Sequence, residues 1–399
     1  MTTRAIGLIA VVLLSSVAAP AALAAEADST ASAESTLSFG TDGSAVVDYA
    51  VGGTTVAESI RVQSRSQADA DLSLDAGASL GAVTNLTGSP LAVDSETGLQ
   101  TTIRADSGAT LSAHDNGHGS LVVASDGDAQ VVEVGLPTDA NATADGDSRV
   151  VVTTADGTTG TYLATGDGSV TVNDAGNVTA SVDGDSRLVF RAYADGRDEA
   201  DRQTETLITS GQAAASVYLT ANGSDSVTYD GDTDIAVTQR TTGRVNVTVD
   251  RAAHEGTVIV TSVAESTFES PAAVQVAVDG QAAARASSTS ELTAATQGGE
   301  TSRYMVRSTG SADASMDVLV GVNHFSERTL QLSDGGSDEG GSDADPTATS
   351  AGDDGGAGES ATTSTDGSTG TAGADGPGFG VVGALAGVLA ATALLGRRR

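Results

Sequence analysis

Residues 141–190 read NATADGDSRVVVTTADGTTGTYLATGDGSVTVNDAGNVTASVDGDSRLVF. Short β-branched runs alternate there with Asp-Gly and Gly-rich breaks. Asp145-Gly146, Asp156-Gly157, Asp167-Gly168 and Asp183-Gly184 punctuate the stretch. Asp-Gly between alternating apolar residues is the signature of a tight hairpin turn. Outward from this core the same rhythm continues through Asp42-Gly43, Asn116-Gly117, Asp126-Gly127, Asp195-Gly196, Asp230-Gly231 and Asp279-Gly280. Runs such as SLVVAS, AQVVEVGL, RVNVTV, GTVIVTSV and DVLVGVNHF lie between them. Helical periodicity is scarce. The expected class is mostly β, built as an antiparallel β-sandwich or as stacked, solenoid-like β units. A weak internal repeat keeps both architectures open: DGDAQVV starts at Asp126, DGDSRVV at Asp145 and DGDSRLVF at Asp183.

Composition narrows how such a fold is built. The chain has 399 residues, no Trp, no Cys and only 11 Phe and Tyr (5 and 6). Its core must come from Val, Ala, Leu and Thr, which suits thin β layers. Without Cys there are no disulfides and no thiolate metal sites or nucleophiles. The stretch RDEADRQTET, 197–206, marks an expected boundary between a turn-rich β region, 26–196, and a second β domain, 197–332. One short helix is expected at 288–297, where Ser288 and Glu291 form a capping box and Gly298-Gly299 ends it.

Charge is strongly one-sided. Lys+Arg is 19 against 53 Asp+Glu, a formal net charge of -34, and every basic residue is Arg. Phosphate-rich partners would be repelled, so no nucleic-acid partner is expected. At molar salt the Debye length is about 3 Å, which screens the self-repulsion. This balance resembles the proteins of haloarchaea.

Both ends read as addresses. Arg4, the apolar run Ile6 to Leu14 and the small residues ending at Ala24 and Ala25 form a signal-peptide pattern over 1–25. The segment 333–376 holds ten carboxylates and no basic residue, the composition of a disordered stalk. Residues 379–396 carry no charge, and at 1.5 Å per residue they span about 27 Å, enough for one transmembrane helix. Arg397, Arg398 and Arg399 follow and would stay cytoplasmic by the positive-inside rule. The stalk, Pro377-Gly378-Phe379, the apolar span and the Arg tail together resemble the PGF-CTERM sorting signal of haloarchaeal surface proteins. That resemblance implies an archaeosortase that reads Pro377, Gly378 and Phe379 and removes the span, and a lipid anchor on the new terminus. With the leader, it implies signal peptidase as a second processing partner. It covers only about the last 25 residues and the stalk, and says nothing of the folded part.

Five Asn-x-Ser/Thr sequons occur, at Asn85, Asn141, Asn177, Asn222 and Asn246. About two would arise by chance, so N-glycosylation is expected in an exported chain. Asn246 lies in the alternating run RVNVTVD with the parity of its polar face.

Sites for chemistry are sparse. His114 and His118 flank an Asn-Gly turn and, with Asp126, are weak candidates for a metal. The bland reading, two solvated loop imidazoles, is preferred. His254 and His324 lack a nucleophile context, and no nucleophile elbow, phosphate loop or dinucleotide fingerprint is present. No catalytic residue and no cofactor is expected. The sequence favours a non-enzymatic, glycosylated, membrane-anchored surface protein that packs in the surface layer beside its glycoprotein or binds an external partner. The rival reading is a surface-anchored hydrolase or carbohydrate-active protein.

Overall fold

A computed structural model describes residues 10–13 (backbone only), 37–72, 79–97, 99–193, 196–220, 223–241, 243–263, 268, 272–308 and 316–335. Residues 336–376 of the stalk, the C-terminal signal, Asn222 and most of the leader lie outside these residues, while Ser333 and Asp334, expected to begin the stalk, end a strand instead. Among the described residues no helix is long and apolar enough to cross a membrane.

The chain is a stack of β sheets, mostly antiparallel. In spatial order the first sheet holds Ala10–Leu13, Leu37–Asp42, Ala45–Val51, Thr54–Ser64, Gln130–Gly135, Val178–Val182 and Ser169–Val172. The second holds Asn141–Ala144, Arg149–Thr153, Thr159–Ala164, Arg187–Tyr193, Ser120–Ser125, Ala109–His114, Gln100–Ala105 and Leu91–Glu96. These two sheets form a sandwich. Phe39, Tyr49 and Ile60 of one face Ile103, Tyr162 and Phe190 of the other.

The third sheet runs Ser224–Thr228, Ala213–Leu219, Glu255–Val263, Met316–His324, Arg303–Ser308 and Ala284–Arg285. The fourth runs Thr233–Thr241, Arg244–Arg251, Arg328–Asp334, Val274–Val278 and Gln281–Ala282. They make a second sandwich, closed by Val247, Ile259, Val318 and Leu332. Ala213–Leu219 and Glu255–Val263 pair in parallel, because the intervening strands cross to the fourth sheet and back.

The alternation of burial shows why four layers form. Arg244–Arg251 is buried only at every second residue, with Val245, Val247 and Val249 at 0% exposure. In Arg187–Tyr193 six consecutive residues are buried, and in Met316–His324 seven. Strands apolar on both faces must be covered on both. The second sheet therefore turns its other face to the third, across a seam of Val122, Leu163, Val189, Val258, Val260 and Leu319.

Two helices flank this seam. α1, Arg65–Asp71, lies elsewhere, over the outer face of the first sheet with Val83 and Leu86. α2, Glu199–Thr209, occupies the expected boundary and puts Leu207 and Ile208 into the seam. Its capping box joins Asp198 and Asp201, each side chain accepting the other's backbone N–H. α3, Thr289–Thr296, forms where the sequence predicts a helix, with Ser288 at its N-cap. The Glu291 carboxylate reaches one residue beyond the expected box, to Ser287 N at 3.0 Å.

The three DGD turns do not mark stacked repeats. Residues 145–148 join two strands of one sheet, whereas 126–129 and 183–186 cross between sheets. Of the two expected architectures, the sandwich is the one present. Its aromatic centre is tight: Phe190 lies 4.7 Å from Tyr162 and 6.1 Å from Tyr49, ring to ring, and presses on Gly160. Phe190→Ala should lower the unfolding free energy by about 3–5 kcal/mol, measured by denaturant titration at molar salt. A loss under about 1 kcal/mol would show that the first sandwich can collapse around the gap.

Candidate functional site

The loop 114–120 holds the pair first considered for metal. His114 ends its strand nearly buried, at 3% exposure, and its Nδ1 sits 3.1 Å from both carboxylate oxygens of Asp225. Asn116 Nδ2 donates to Asp225 at 3.4 Å, while Asn116 Oδ1 accepts from His118 N and Ser120 N. Asp225 belongs to the second sandwich, so this loop is a clasp between the two. His118 turns away: its Nδ1 is 3.1 Å from Ala192 O and its ring packs edge-on against Tyr193 at 5.3 Å. Burial, with the nearby Arg191 charge, lowers its pKa to about 3, so the ring is neutral and Nδ1 donates. Asp126 lies at the other end of these strands, about 17–20 Å away at strand rise. The three do not converge as the weak metal reading would need, and the preferred reading of two solvated loop imidazoles is corrected too, because His114 is buried against Asp225 and His118 packs on Tyr193. Among the described residues no cluster of three ligating side chains occurs.

At one end of the seam lies a buried polar group of residues. Glu205, fully buried on α2, accepts from Tyr193 Oη at 2.8 Å and from Arg197 Nε at 2.8 Å, and Arg149 Nε lies 3.3 Å away. Burial raises the Glu205 pKa, but the Arg197 and Tyr193 hydrogen bonds outweigh it, and the carboxyl is held below its usual range. Arg191 is 4% exposed, and its Nε and Nη1 have no hydrogen-bond partner. Burial alone would lower its pKa, yet Tyr193, Tyr229, Asp201 and Asp317 together raise it. Asp317 accepts from Ser262 Oγ at 2.6 Å, and burial raises its pKa. Asp201, half-buried on α2, is pushed up to about 6 by burial.

The concave site is elsewhere, at the opposite end of the same strands. The hairpin of Val274–Val278 and Gln281–Ala282 turns through Asp279 and Gly280, with φ of 50° and 77°. That is the left-handed pair an Asp-Gly hairpin turn requires. Asp279, residues 300–302 behind α3, and Asn323, His324 and Arg328 enclose a hollow of about 190 Å³. A wider one of about 350 Å³ adjoins it, sharing Glu300 and Thr301 and adding Glu291 and Arg303.

Each wall is held. Arg328 Nη1 pairs with Asp279 Oδ2 at 2.5 Å, and Thr329 N donates to Asp279 Oδ1 at 2.8 Å. Asn323 Nδ2 donates to Gly299 O at 3.1 Å and Glu300 O at 3.2 Å, fixing the loop. Neighbouring His254 Nδ1 lies 3.1 Å from Phe325 O. Glu300 makes no side-chain ion pair among the described residues. Chemically the hollow offers carboxylates, an amide, hydroxyls, an imidazole and a guanidinium within one concavity.

Of these, the sequence singled out only His324, and read Asp279 solely as a turn residue. The sequons lie apart from the hollow. Asn85, at φ 64°, and Asn141 are exposed. Asn177 Oδ1 accepts from Leu136 N at 3.1 Å, and Asn246 lies outward in mid-strand with Nδ2 donating to Gln239 at 2.9 Å.

No protein-family model and no curated protein matches the chain. Among solved structures it is similar to a glycoside hydrolase family 81 protein from Clostridium thermocellum, in mutant form. The identity is 10% and the TM-score 0.36, over 75% of this chain and 35% of that one. The chain thus spans about a third of that protein's length. This match corrects the expectation that the chain is not an enzyme, and that expectation is withdrawn. A likeness of this size transfers no site, substrate or activity.

The two raised carboxyls predict a pH response. A group whose folded pKa exceeds its unfolded value stabilises the fold below the unfolded pKa and loses that contribution as pH rises. For Asp201 the window runs from about 3.9 to about 6. Across the same range His118, lowered to about 3, works the other way, because the unfolded ring takes up a proton that the buried ring does not. The seam carboxyls are therefore read by difference. At molar salt, Asp201→Asn with Asp317→Asn should make the melting temperature rise more steeply with pH across this window while keeping the Asp198 and Ser262 hydrogen bonds. An unchanged slope in the double variant would rule out a contribution from the seam carboxyls.

Proposed function

We propose that the chain is an exported, surface-held, carbohydrate-active protein of a halophilic archaeon, with its saccharide site in the hollow between Asp279, Glu300 and Asn323. Signal peptidase removes the leader, the acidic stalk holds the folded part off the membrane, and archaeosortase exchanges the C-terminal span for a lipid anchor. The surface-layer glycoprotein is the natural neighbour and its glycans the natural ligand class.

The observation that carries this reading is the hollow's mixture of fixed donors and acceptors. Sugar hydroxyls both donate and accept, so they are matched by carboxylates, amides and guanidinium groups together. Of the two adjoining hollows, the wider, about 350 Å³, falls in the range of small-ligand sites and the narrower, about 190 Å³, extends it. Asp279 is tied to Arg328 and Thr329 and acts as a fixed acceptor. Glu300 makes no ion pair among the described residues, which leaves its carboxylate to meet a bound sugar.

The test is calorimetric titration of the processed protein at molar salt with neutral and acidic oligosaccharides, alongside an assay for released reducing ends. Asn323→Ala should weaken binding at least tenfold. Glu300→Gln should abolish any release while leaving affinity within a few-fold. Absence of saccharide binding in the wild type would overturn the site. Mass spectrometry of the mature chain should give an N-terminus at Ala25 or Glu26, glycan masses on the sequons, and loss of the residues after Pro377-Gly378-Phe379. An intact, unlipidated Arg399 would overturn the processing.

A further inference from the structure

We propose that, once the leader is removed, the strand Leu37–Asp42 pairs edge to edge with the same strand of a second copy of this chain. The inference rests on the export reading and is independent of the saccharide site.

In the structure this edge is covered by Ala10–Leu13, antiparallel, with Val11 opposite Gly40 and Val12 opposite Phe39. Those four residues belong to the segment ahead of Ala24 and Ala25. Their removal uncovers a row of backbone N–H and C=O groups, a ready template for another strand. Its guards are few: the register with Ala45–Val51 shifts between Ser38 and Gly40, and Asp115 Oδ1 accepts from Leu37 N at 3.2 Å. LSFGTD contains no Lys and no Pro, and its single charge, Asp42, is at its end. Leu37 and Phe39 are 1% and 3% exposed in the core, so the strand cannot slip register.

The two sides of the first sandwich differ. On one, Ser169–Val172 lies against Asn141–Ala144. That side carries the exposed sequon Asn141 on its edge strand and Asn177 at the head of Val178–Val182. On the other side are Leu37–Asp42 and Leu91–Glu96, tied by Leu91 N to Gly43 O at 2.9 Å. No sequon falls in either strand. Val93, at 43% exposure, is the exposed large hydrophobic residue of the described chain, and it stands on Leu91–Glu96. Glycans on Asn141 and Asn177 would shield the first side, while Asn85 sits at Glu133, three strands in from Leu37–Asp42.

A second copy is the occupant this geometry fits. Two identical edges related by a twofold axis meet antiparallel, and the contact closes on itself. Copies anchored on one membrane through the same stalk meet at high effective concentration.

The experiment compares the full processed chain with one whose cleavage site is blocked, by light scattering at molar salt. The processed chain should run at twice the monomer mass and the leader-bearing chain as a monomer. Gly40→Pro should weaken the dimer at least tenfold with an unchanged circular dichroism spectrum. The chain has no Cys, so single cysteines give a second readout that does not depend on that variant's folding. Placed in turn at Ser38, Gly40 and Asp42, they should cross-link where they meet the twofold axis. A cysteine at Thr143, on the opposite side, should not. A processed chain that stays monomeric overturns the proposal, as does cross-linking only through Thr143. Protection of residues 26–36 from protease in a monomer would also overturn it, giving the edge to the chain's own segment.

Discussion

Everything in this molecule depends on two strands that are apolar on both faces. Arg187–Tyr193 sends Leu188, Phe190 and Ala192 into the first core, and Val189, Arg191 and Tyr193 toward the seam. Met316–His324 does the same from the other side, with Val318 and Val320 inward and Asp317 and Leu319 in the seam. A sheet wetted on one face would leave Val189 and Leu319 in water, at a cost of about 1.5–3 kcal/mol each. Neither sandwich is complete alone, and the pair is fixed by the surface they share. The chain has few aromatic residues to fill a thick core. Three thin cores in series bury the Val, Ala and Leu it does have.

The seam also explains where the scarce positive charge goes. With 19 Arg and no Lys, the chain commits Arg149 and Arg197 to the buried Glu205 and buries Arg191 among Tyr193, Tyr229, Asp201 and Asp317. Such clusters are weak sources of net stability, because desolvation offsets the attraction. Their geometric demand is strong. An apolar seam would let two flat sheets slide, whereas Glu205 fixes α2 to the second sheet through Tyr193, and Arg307 Nη1 ties α2 to the third through Ala200 O at 3.4 Å. The His114–Asp225 clasp adds a second fixed point. Two polar pins on an apolar plane determine the angle between sandwiches.

The sequence made the strands legible because Asp-Gly turns and β-branched runs are local signals. α3 was legible for the same reason, since its cap lies within four residues. α2 was not: RDEADRQTET looked like a charged boundary, and the two residues that bury its face, Leu207 and Ile208, lie just past it. The DGD recurrence misled in the other direction, because Asp-Gly suits a hairpin and a sheet crossing equally. The sites were least legible. His114 finds Asp225 across 111 residues, and Asp279 finds Arg328 across 49. No spacing rule connects residues brought together by layer stacking. Of the residues lining the narrower hollow, only His324 announced itself, by rarity.

The hollow and the polar cluster sit at opposite ends of the same strands. Ser262 and Asp317 mark one end, and Glu255 and His324 the other. Seven residues separate them, about 23 Å at strand rise. This separation divides labour along one rigid element. At the seam end, Glu205 is desolvated and matched by Tyr193 and Arg197, which serves geometry. At the far end, the hairpin turn, the segment after α3 and the exit of Met316–His324 converge beyond the last sheet hydrogen bonds. Their polar groups there face a concavity instead of another sheet. Asp279 joins both requirements, because the left-handed turn that closes the hairpin also aims its carboxylate at Arg328. A binding group whose position is set by a turn, an ion pair and a backbone N–H together costs little further ordering when a ligand arrives.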